Sequence, residues 1–307
     1  MIISLYPTYS FLQPGKRDNQ EDARWPDTDR PGASCRAFVV CDGVGGSSHG
    51  EVASNTVCRS IGKQLADFAP DDTLTPELFS NVLDSAYNAL DSAADDVHGD
   101  MATTLTMLVA HVGGVLMAHI GDSRIYQVRP GLGIVYRSDD HSLVSQMVRS
   151  GIITPEEALT HPQRNVITRF MAPTTDEENR CMASVVRTTD IAAGDYFLLC
   201  TDGVTNMVSD SMIVETLCSD DSDEQKMARL ASLAAPSSDN NTATLIHIKE
   251  VEGGGRPDVA DSADDNQSAT LRSYAAATTV EEVESFRATE SETNPISKFL
   301  RKLFNLF

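Results

Sequence analysis

Apolar residues along the chain follow two periods, and the switches between them lay out the elements. Residues 2–12 open with a short apolar run interrupted by Pro7. They read as a first strand at a sheet edge, because proline cannot donate to a ladder. Residues 37–41, Ala-Phe-Val-Val-Cys, are continuously apolar and stop at Asp42-Gly43-Val44-Gly45-Gly46. A run of that length bounded by turn residues predicts a buried strand. Helical spacing follows: Val52, Ala53, Val57, Ile61 and Leu65 over 51–68, then Leu78, Phe79, Val82, Leu83, Ala86 and Leu90 over 76–95, behind Pro76 in a favourable first-turn position. Two consecutive helices joined by the loop 70–75 are expected to pair on one face of a sheet.

Strand patterns return at 103–111, 115–120 and 125–128, with a hairpin turn at Gly113-Gly114. A helix is expected over 142–149, capped by Asp140 or Ser142. Another starts behind Thr154, with Pro155 in its first turn and Glu157 at the capping-box position. Residues 182–188 and 196–201 read as strands, and the second ends in Asp202-Gly203, a repeat of Asp42-Gly43. Helices from about 209 and over 224–234 make a second pair. The last strand, 242–248, is entered through Asp239-Asn240. Strands at both ends with two helical pairs between them predict an α+β layered sandwich.

Beyond residue 250 the pattern stops. Residues 251–294 are rich in Ala, Ser, Thr, Asp and Glu and poor in large apolar side chains, which reads as an acidic flexible tail after a domain spanning 1–250. Periodicity resumes only at 295–307. Ile296, Phe299, Leu300, Leu303, Phe304 and Phe307 share one helical face, and Lys298, Arg301, Lys302 and Asn305 the other. Such a basic amphipathic helix can dock back on the domain, enter a partner's groove, or lie on an anionic membrane surface. The third destination would tether the protein near a membrane-bound kinase or complex.

Composition narrows the chemistry. Among 307 residues, 41% are hydrophobic, enough for a substantial core. There are 24 Lys and Arg against 45 Asp and Glu, a formal charge of −21. That balance repels nucleic acid and disfavours a two-metal nuclease. The six cysteines form no C-x-x-C pair, and Cys41 and Cys200 fall inside apolar strands, so buried thiols in a reducing compartment are expected rather than zinc or disulfides. With no signal-peptide pattern and no bilayer-length apolar run, the expected location is cytoplasmic, or peripheral at the inner face of the membrane.

Candidate chemistry sits at the strand ends. Asp42, Asp202 and Asp239 each terminate or precede a buried strand, and Glu21 and Asp22 follow the first one, close to Arg17. Carboxylates that converge repel unless cations neutralise them. A pair of Mg²⁺ or Mn²⁺ ions suits oxygen-only ligands, and the histidines lack ligand spacing. Two such ions roughly 3.5–4 Å apart lower the pKa of a bridging water from about 16 toward 7. The resulting hydroxide can attack phosphorus in line while Arg17 neutralises phosphoryl oxygens. No G-x-x-x-x-G-K-[ST] motif is present, so an ATP-driven activity has little support.

Read in order, Gly15-x-Arg17-x-x-x-Glu21-Asp22-Ala23, Val40-Cys41-Asp42-Gly43-x-Gly45-Gly46, Ala102-Thr103-Thr104, Gly121-Asp122-Ser123-Arg124, Asp140-His141-Ser142, Cys200-x-Asp202-Gly203 and Asp239-Asn240-x-Thr242 resemble the motifs of metal-dependent Ser/Thr protein phosphatases, the PPM or type 2C family. The resemblance covers about residues 5–250. It implies a four-layer αββα sandwich, two antiparallel β-sheets flanked by antiparallel helical pairs, with a binuclear Mn²⁺ or Mg²⁺ centre. It implies that Asp42 bridges both ions, that Asp202 and Asp239 hold one, and that the Gly43 carbonyl and, through water, Glu21 serve the other. Asp22 is counted with the metal ligands, Arg17 binds substrate phosphate, and Asp122 joins Asp202 in a weaker third site. The expected enzyme is a monomer that acts on phosphorylated Ser/Thr proteins and opposes a cognate kinase in signalling. The alternative is a catalytically weak phosphoprotein-binding scaffold of the same fold.

Three positions depart from the family pattern. Val44 replaces a histidine of many eukaryotic members, as in bacterial-type members, so water protonates the leaving alkoxide. Asn206 stands where Asp is usual and puts the third ion in doubt, and Ala102 replaces a usual Gly. The segment 147–171 resembles the flap that bacterial members place beside the site, a loop of the kind that tunes substrate choice.

Overall fold

A computed structural model describes residues 1–174 and 176–253; of the tail and terminal helix read at 251–307, residues 251–252 belong to the last described strand and 254–307 lie outside the described residues. The element order is β1 (Ile2–Leu5), β2 (Tyr9–Gln13), β3 (Asp22–Trp25), β4 (Ala37–Asp42), α1 (Gly50–Gln64), α2 (Pro76–Asp96), β5 (Leu105–His111), β6 (Gly114–Ile120), β7 (Arg124–Arg129), β8 (Gly133–Arg137), α3 (Leu143–Arg149), α4 (Pro155–Thr160), a 3₁₀ turn (Glu177–Asn179), β9 (Ser184–Thr188), β10 (Tyr196–Cys200), α5 (Asp202–Thr205), α6 (Asp210–Leu217), α7 (Asp223–Ala234) and β11 (Asn241–Glu252).

Two antiparallel sheets face each other. One runs β3-β4-β5-β6-β9; the other runs β1-β11-β10-β7-β8, with β2 also on β11. Between them Phe38, Val40, Leu108 and Met117 meet Ile125, Phe197, Leu199 and Ile246. Outside the first sheet, Val39, Cys41 and Met107 pack on Val57 and Ile61 of α1 and on Val82 and Leu90 of α2. Outside the second, Leu198, Cys200 and Leu245 pack on Ile213 and Leu217 of α6 and on Leu230 of α7. The central strands are therefore apolar on both faces, which is why β4 and β10 read as unbroken apolar runs instead of alternating ones. The four-layer αββα arrangement is the expected one.

Four elements depart from the sequence reading. Residues 2–12 are two strands, not one: β1 pairs with residues 248–252 of β11 and β2 with residues 241–245. Pro7 lies in the break between them. The stretch read as a polar loop through Ala23 contains the start of β3, an edge strand aligned so that Asp22 faces Asp42. The edge strand β8 is half-exposed and was not expected from its pattern. A helical turn, α5, begins directly at Asp202, ahead of the helix expected from about 209. The caps read at Ser142 and Thr154 hold: Ser142 accepts from Ser145 N–H, and Thr154 and Glu157 form the full capping box.

Candidate active site

The antiparallel order puts the chemically marked ends of five strands at one end of the sandwich. Asp22 opens β3 opposite Asp42 at the close of β4. Gly121-Asp122 follows β6, Asp202 follows β10, and Asp239-Asn240 leads into β11, whose Ala243 faces Cys200. Asp42 is fixed through its own backbone. Asp42 N–H donates to Thr104 Oγ1 (3.0 Å), while the Asp42 carbonyl accepts from Thr104 N–H (2.8 Å) and Thr103 Oγ1 (2.9 Å). Thr104 Oγ1 in turn meets Ser123 Oγ at 2.8 Å. A side chain at Gly121 would strike Thr104, its Cβ falling 2.6 Å from Cγ2, and φ is +106° there. Glycine is what lets the Asp122 turn lie on the Asp42 strand.

The two sheets are stitched together at this end. Asp22, 2% exposed, accepts hydrogen bonds at Oδ2 from Thr201 (3.0 Å) and Thr242 (2.7 Å) of the opposite sheet. Asn240 Oδ1 accepts from Glu21 N–H (2.8 Å), and its Nδ2 donates to the carbonyls of Pro14 (2.9 Å) and Asn19 (2.8 Å). One buried amide thus holds the loop that carries Arg17 and Glu21. Gly203 packs so closely on the same residue that a Cβ would lie 1.9 Å from the Asn240 carbonyl oxygen. A Cβ on Gly43 would lie 2.6 Å from the Gly50 carbonyl carbon and 2.8 Å from the Glu21 carbonyl oxygen, so the start of α1, Gly43 and Glu21 also close up. Arg17 Nη2 donates to Asp239 Oδ2 at 2.8 Å, with both side chains partly exposed at the rim.

The electrostatics follow from burial. Desolvation, followed by the charges of Asp22, Asp202, Asp122 and Asp239, holds the Asp42 carboxyl well above the usual carboxylate range. Asp122 is raised in the same way, by burial and then by Asp202 and Asp140. Burial and Asp239 push Asp202 up to about 6, against the opposing hydrogen bond from Asn206 Nδ2 at 3.3 Å. Burial pushes Asp22 up to about 7 although both threonines stabilise its charged form. Glu21 is raised by burial, against the pull of Arg17. Burial works against the charge of Arg17, but Asp239, Glu21 and Asp42 more than offset it, so its pKa lies above the usual value. Beneath Asp122, Arg124 grips Asp140 through two 2.7 Å bonds.

All eight sequence-predicted site residues, Arg17, Glu21, Asp22, Gly43, Asp42, Asp122, Asp202 and Asp239, therefore occupy one region. Among the described residues no three His, Cys, Asp or Glu side chains close around a single point. The carboxylates feel one another's charge without converging, as like charges do. The donor set fits hard divalent cations: it is all oxygen, it is desolvated, and ionising it needs compensating positive charge. Asp22 Oδ1 is in addition buried without a partner among the described residues. Sequence reasoning placed Asn240, Thr201, Thr242, Thr104 and Ser123 inside or beside its motifs but gave them no role. Their roles lie in contacts across as many as 226 positions, for Asn240 with Pro14, and no local pattern carries these. His119 and His141 stack at 4.5 Å, and Nδ1 of His141 accepts from Gly121 N–H.

Residues 19–235 match the family described as Protein phosphatase 2C. The protein phosphatase PhpP of Streptococcus pneumoniae is 33% identical over 240 residues, 76% of this chain and 94% of its own. The crystal structure of the serine/threonine phosphatase Stp1 from Staphylococcus aureus superposes with a TM-score of 0.66 at 30% identity, covering 81% of this chain and 98% of that one. The catalytic domain of the serine/threonine protein phosphatase PstP in complex with two manganese ions gives 0.64 at 28%, covering 81% and 100%. Those likenesses span the same two sheets and helical pairs that gather the strand-end carboxylates, and with them the chain belongs to the protein phosphatase 2C family.

Proposed function

We propose that this protein hydrolyses phosphoserine and phosphothreonine in phosphoproteins, with two divalent cations, Mn²⁺ or Mg²⁺, held by the strand-end carboxylates. The observation that carries the reading is a desolvated cluster of Asp42, Asp122 and Asp202 beside a rim ion pair, Arg17 with Asp239, at the end where both sheets meet. Asp42 would serve both ions, Asp202 and Asp239 would hold one, and the Gly43 carbonyl and Glu21 would hold the other, with Asp22 behind them. When bound, such ions supply a nucleophile at neutral pH and neutralise phosphoryl oxygens.

The chain's own residues do the rest. Arg17, partly exposed, reaches its counter-ion through one nitrogen. Its fork geometry leaves further N–H groups to bind and orient a phosphate. Asn240 keeps the Arg17 loop fixed on β11 while substrate binds. Val44 is apolar and 8% exposed, so it has no proton to give, and the leaving serine or threonine oxygen takes its proton from water. A weaker third ion would sit between Asp122 and Asp202, where Asn206 occupies part of the Asp202 hydrogen-bonding capacity. No observation favours a non-catalytic scaffold.

The remaining proposals concern context. The enzyme opposes a cognate kinase as a monomer, its catalytic unit is residues 1–250, and residues 295–307 dock it on a membrane surface or partner. No helix among the described residues is long and apolar enough to cross a membrane. The function is tested by hydrolysis of a phosphothreonine peptide with Mn²⁺, with Mg²⁺ and with EDTA, for the wild type and Asp202→Ala. Turnover that needs the metal and disappears in the variant is expected. Turnover in EDTA, or undiminished in Asp202→Ala, overturns the reading. Deleting residues 295–307 is expected to release the protein from membrane fractions; unchanged fractionation removes the membrane tether.

A further inference from the structure

Residues 143–171 are fastened to the active end at both of their own ends. Leu143 N–H donates to the Val166 carbonyl (2.8 Å), and Thr168 N–H to that of His141 (2.7 Å). Met171 and Thr103 exchange backbone hydrogen bonds of 2.8 and 2.9 Å, and Thr103 is the residue whose hydroxyl holds the Asp42 carbonyl. His141 itself takes the N–H of Gly121, next to Asp122. Between these fastenings the segment is loosely built, and α4 contains no buried residue. Arg149, Arg164 and Arg169 are exposed on it. Arg169 and Arg149 share one neighbourhood: after burial and His119, their two charges help to hold the His141 imidazole down at about 3.

What sets these three arginines apart is that they hold nothing. The chain carries 45 Asp and Glu against 24 Lys and Arg, a surplus from which most arginines find a partner. Arg30, Arg137 and Arg229, also exposed, pair with Glu224, Asp210 and Glu215. Arg149, Arg164 and Arg169 make no ion pair and no side-chain hydrogen bond among the described residues. The acids of their own segment, Glu156 and Glu157, lie in the first turn of α4, where Glu157 closes the capping box. Three arginines against two glutamates leave the segment net positive on a strongly negative chain. Unspent guanidinium groups beside an active site attract and orient ligands of opposite charge. Resting on the phosphatase reading above, we propose that Arg149, Arg164 and Arg169 select phosphoprotein substrates that carry aspartate or glutamate close to the phosphorylated residue. Arg17 takes the phosphate, and these three take the flanking carboxylates. The negative charge of the chain as a whole disfavours acidic peptides, so the selection is local to this segment.

The test compares three phosphothreonine peptides of equal length, with acidic residues, alanines or lysines around the phosphorylated residue, hydrolysed by the full-length protein with Mn²⁺. At low ionic strength kcat/KM for the acidic peptide is expected to exceed that for the alanine peptide by about tenfold, and the gap to close as salt is added. Arg149→Glu and Arg169→Glu are each expected to cut that ratio by about threefold or more. Both positions are exposed, and hydrolysis of the alanine peptide reports that each variant is folded. Arg59, exposed and without an ion pair on α1, is the control. Arg59→Glu changes the net charge by the same amount and should leave the ratio unchanged. The proposal is overturned if the wild type hydrolyses the alanine or lysine peptide as well as the acidic one. It is also overturned by an unchanged ratio in both variants, or by an equal fall in Arg59→Glu. Hydrolysis of all three peptides without preference removes this inference alone, whereas no Mn²⁺-dependent hydrolysis of any of them removes the phosphatase reading with it.

Discussion

Gly203→Ala tests whether the site depends on two segments touching without side chains. The added Cβ would sit 1.9 Å from the Asn240 carbonyl oxygen and 3.2 Å from the Asn241 Cβ. The first neighbour is backbone, so no rotamer relieves the clash. Reaching an ordinary contact above about 3 Å requires Asp202 and Asp239 to separate by roughly 1 Å, a displacement large enough to cost about 10²-fold in rate. Overpacking of this kind destabilises by about 1–3 kcal/mol, or several degrees of Tm in a domain of this size. The assay is steady-state hydrolysis of a phosphothreonine peptide across a Mn²⁺ titration, alongside thermal unfolding. The variant should stay folded at 25 °C, lose about 10²-fold in kcat/KM and need more Mn²⁺ for half-maximal rate. Gly46→Ala is the contrast, since a Cβ there meets nothing within 4 Å, although its φ of +92° strains an alanine. It should cost stability without changing the metal requirement. A Gly203→Ala enzyme with wild-type rate and metal response would refute the argument that this contact sets the spacing of the two carboxylates.

Three further outcomes follow from the same geometry. Arg17→Ala should lower kcat/KM by about 10²-fold or more while barely moving Tm, because its ion pair with Asp239 is 46% and 36% exposed and such pairs contribute less than about 1 kcal/mol; a Tm loss matching the activity loss would show a structural role instead. Asn240→Ala removes three hydrogen bonds that fasten residues 14–21 and should cost about 2–4 kcal/mol in chemical denaturation, with a raised KM for the phosphopeptide; an unchanged KM would separate this amide from the Arg17 loop. Asp22→Asn addresses pH in metal-free protein. Burial raises the native Asp22 carboxyl to about 7 against about 4 when unfolded, so through this group the wild type gives up stability as pH rises from 4 to 7, a loss the variant lacks. The stability of Asp22→Asn relative to wild type in EDTA should therefore improve by about 2–3 kcal/mol between pH 5 and pH 7.5, and an equal difference at both pH values would argue against a buried, unfavourable charge.

The layered fold was legible because its central strands are buried on both faces and end in abrupt Asp-Gly turns. Asp42 and Asp202 stand out in the sequence for the same reason: a carboxylate ending a run such as Val39-Val40-Cys41 has no part in the core. Asp22 was legible only as part of a polar stretch. Its strand is an edge, its neighbours Gln20 and Arg24 are polar, and its hydroxyl partners, Thr201 and Thr242, lie 179 and 220 positions away. β8 escaped because a half-exposed edge strand needs no clear alternation. The turn α5 escaped because Asp-Gly reads as a break in the chain, while here it starts a helix pressed on Asn240.

The placement of β11 has a consequence for the birth of the enzyme. This last described strand lies inside its sheet, flanked by β10 on one side and by the first two strands of the chain on the other. The residues at the active end run from Arg17 to Asn240. A chain emerging from the ribosome therefore holds most of its carboxylates long before the strand that aligns them is available. A half-made chain lacks the contacts that align those carboxylates, and the arrangement is complete only once this last described strand is free to join the second sheet.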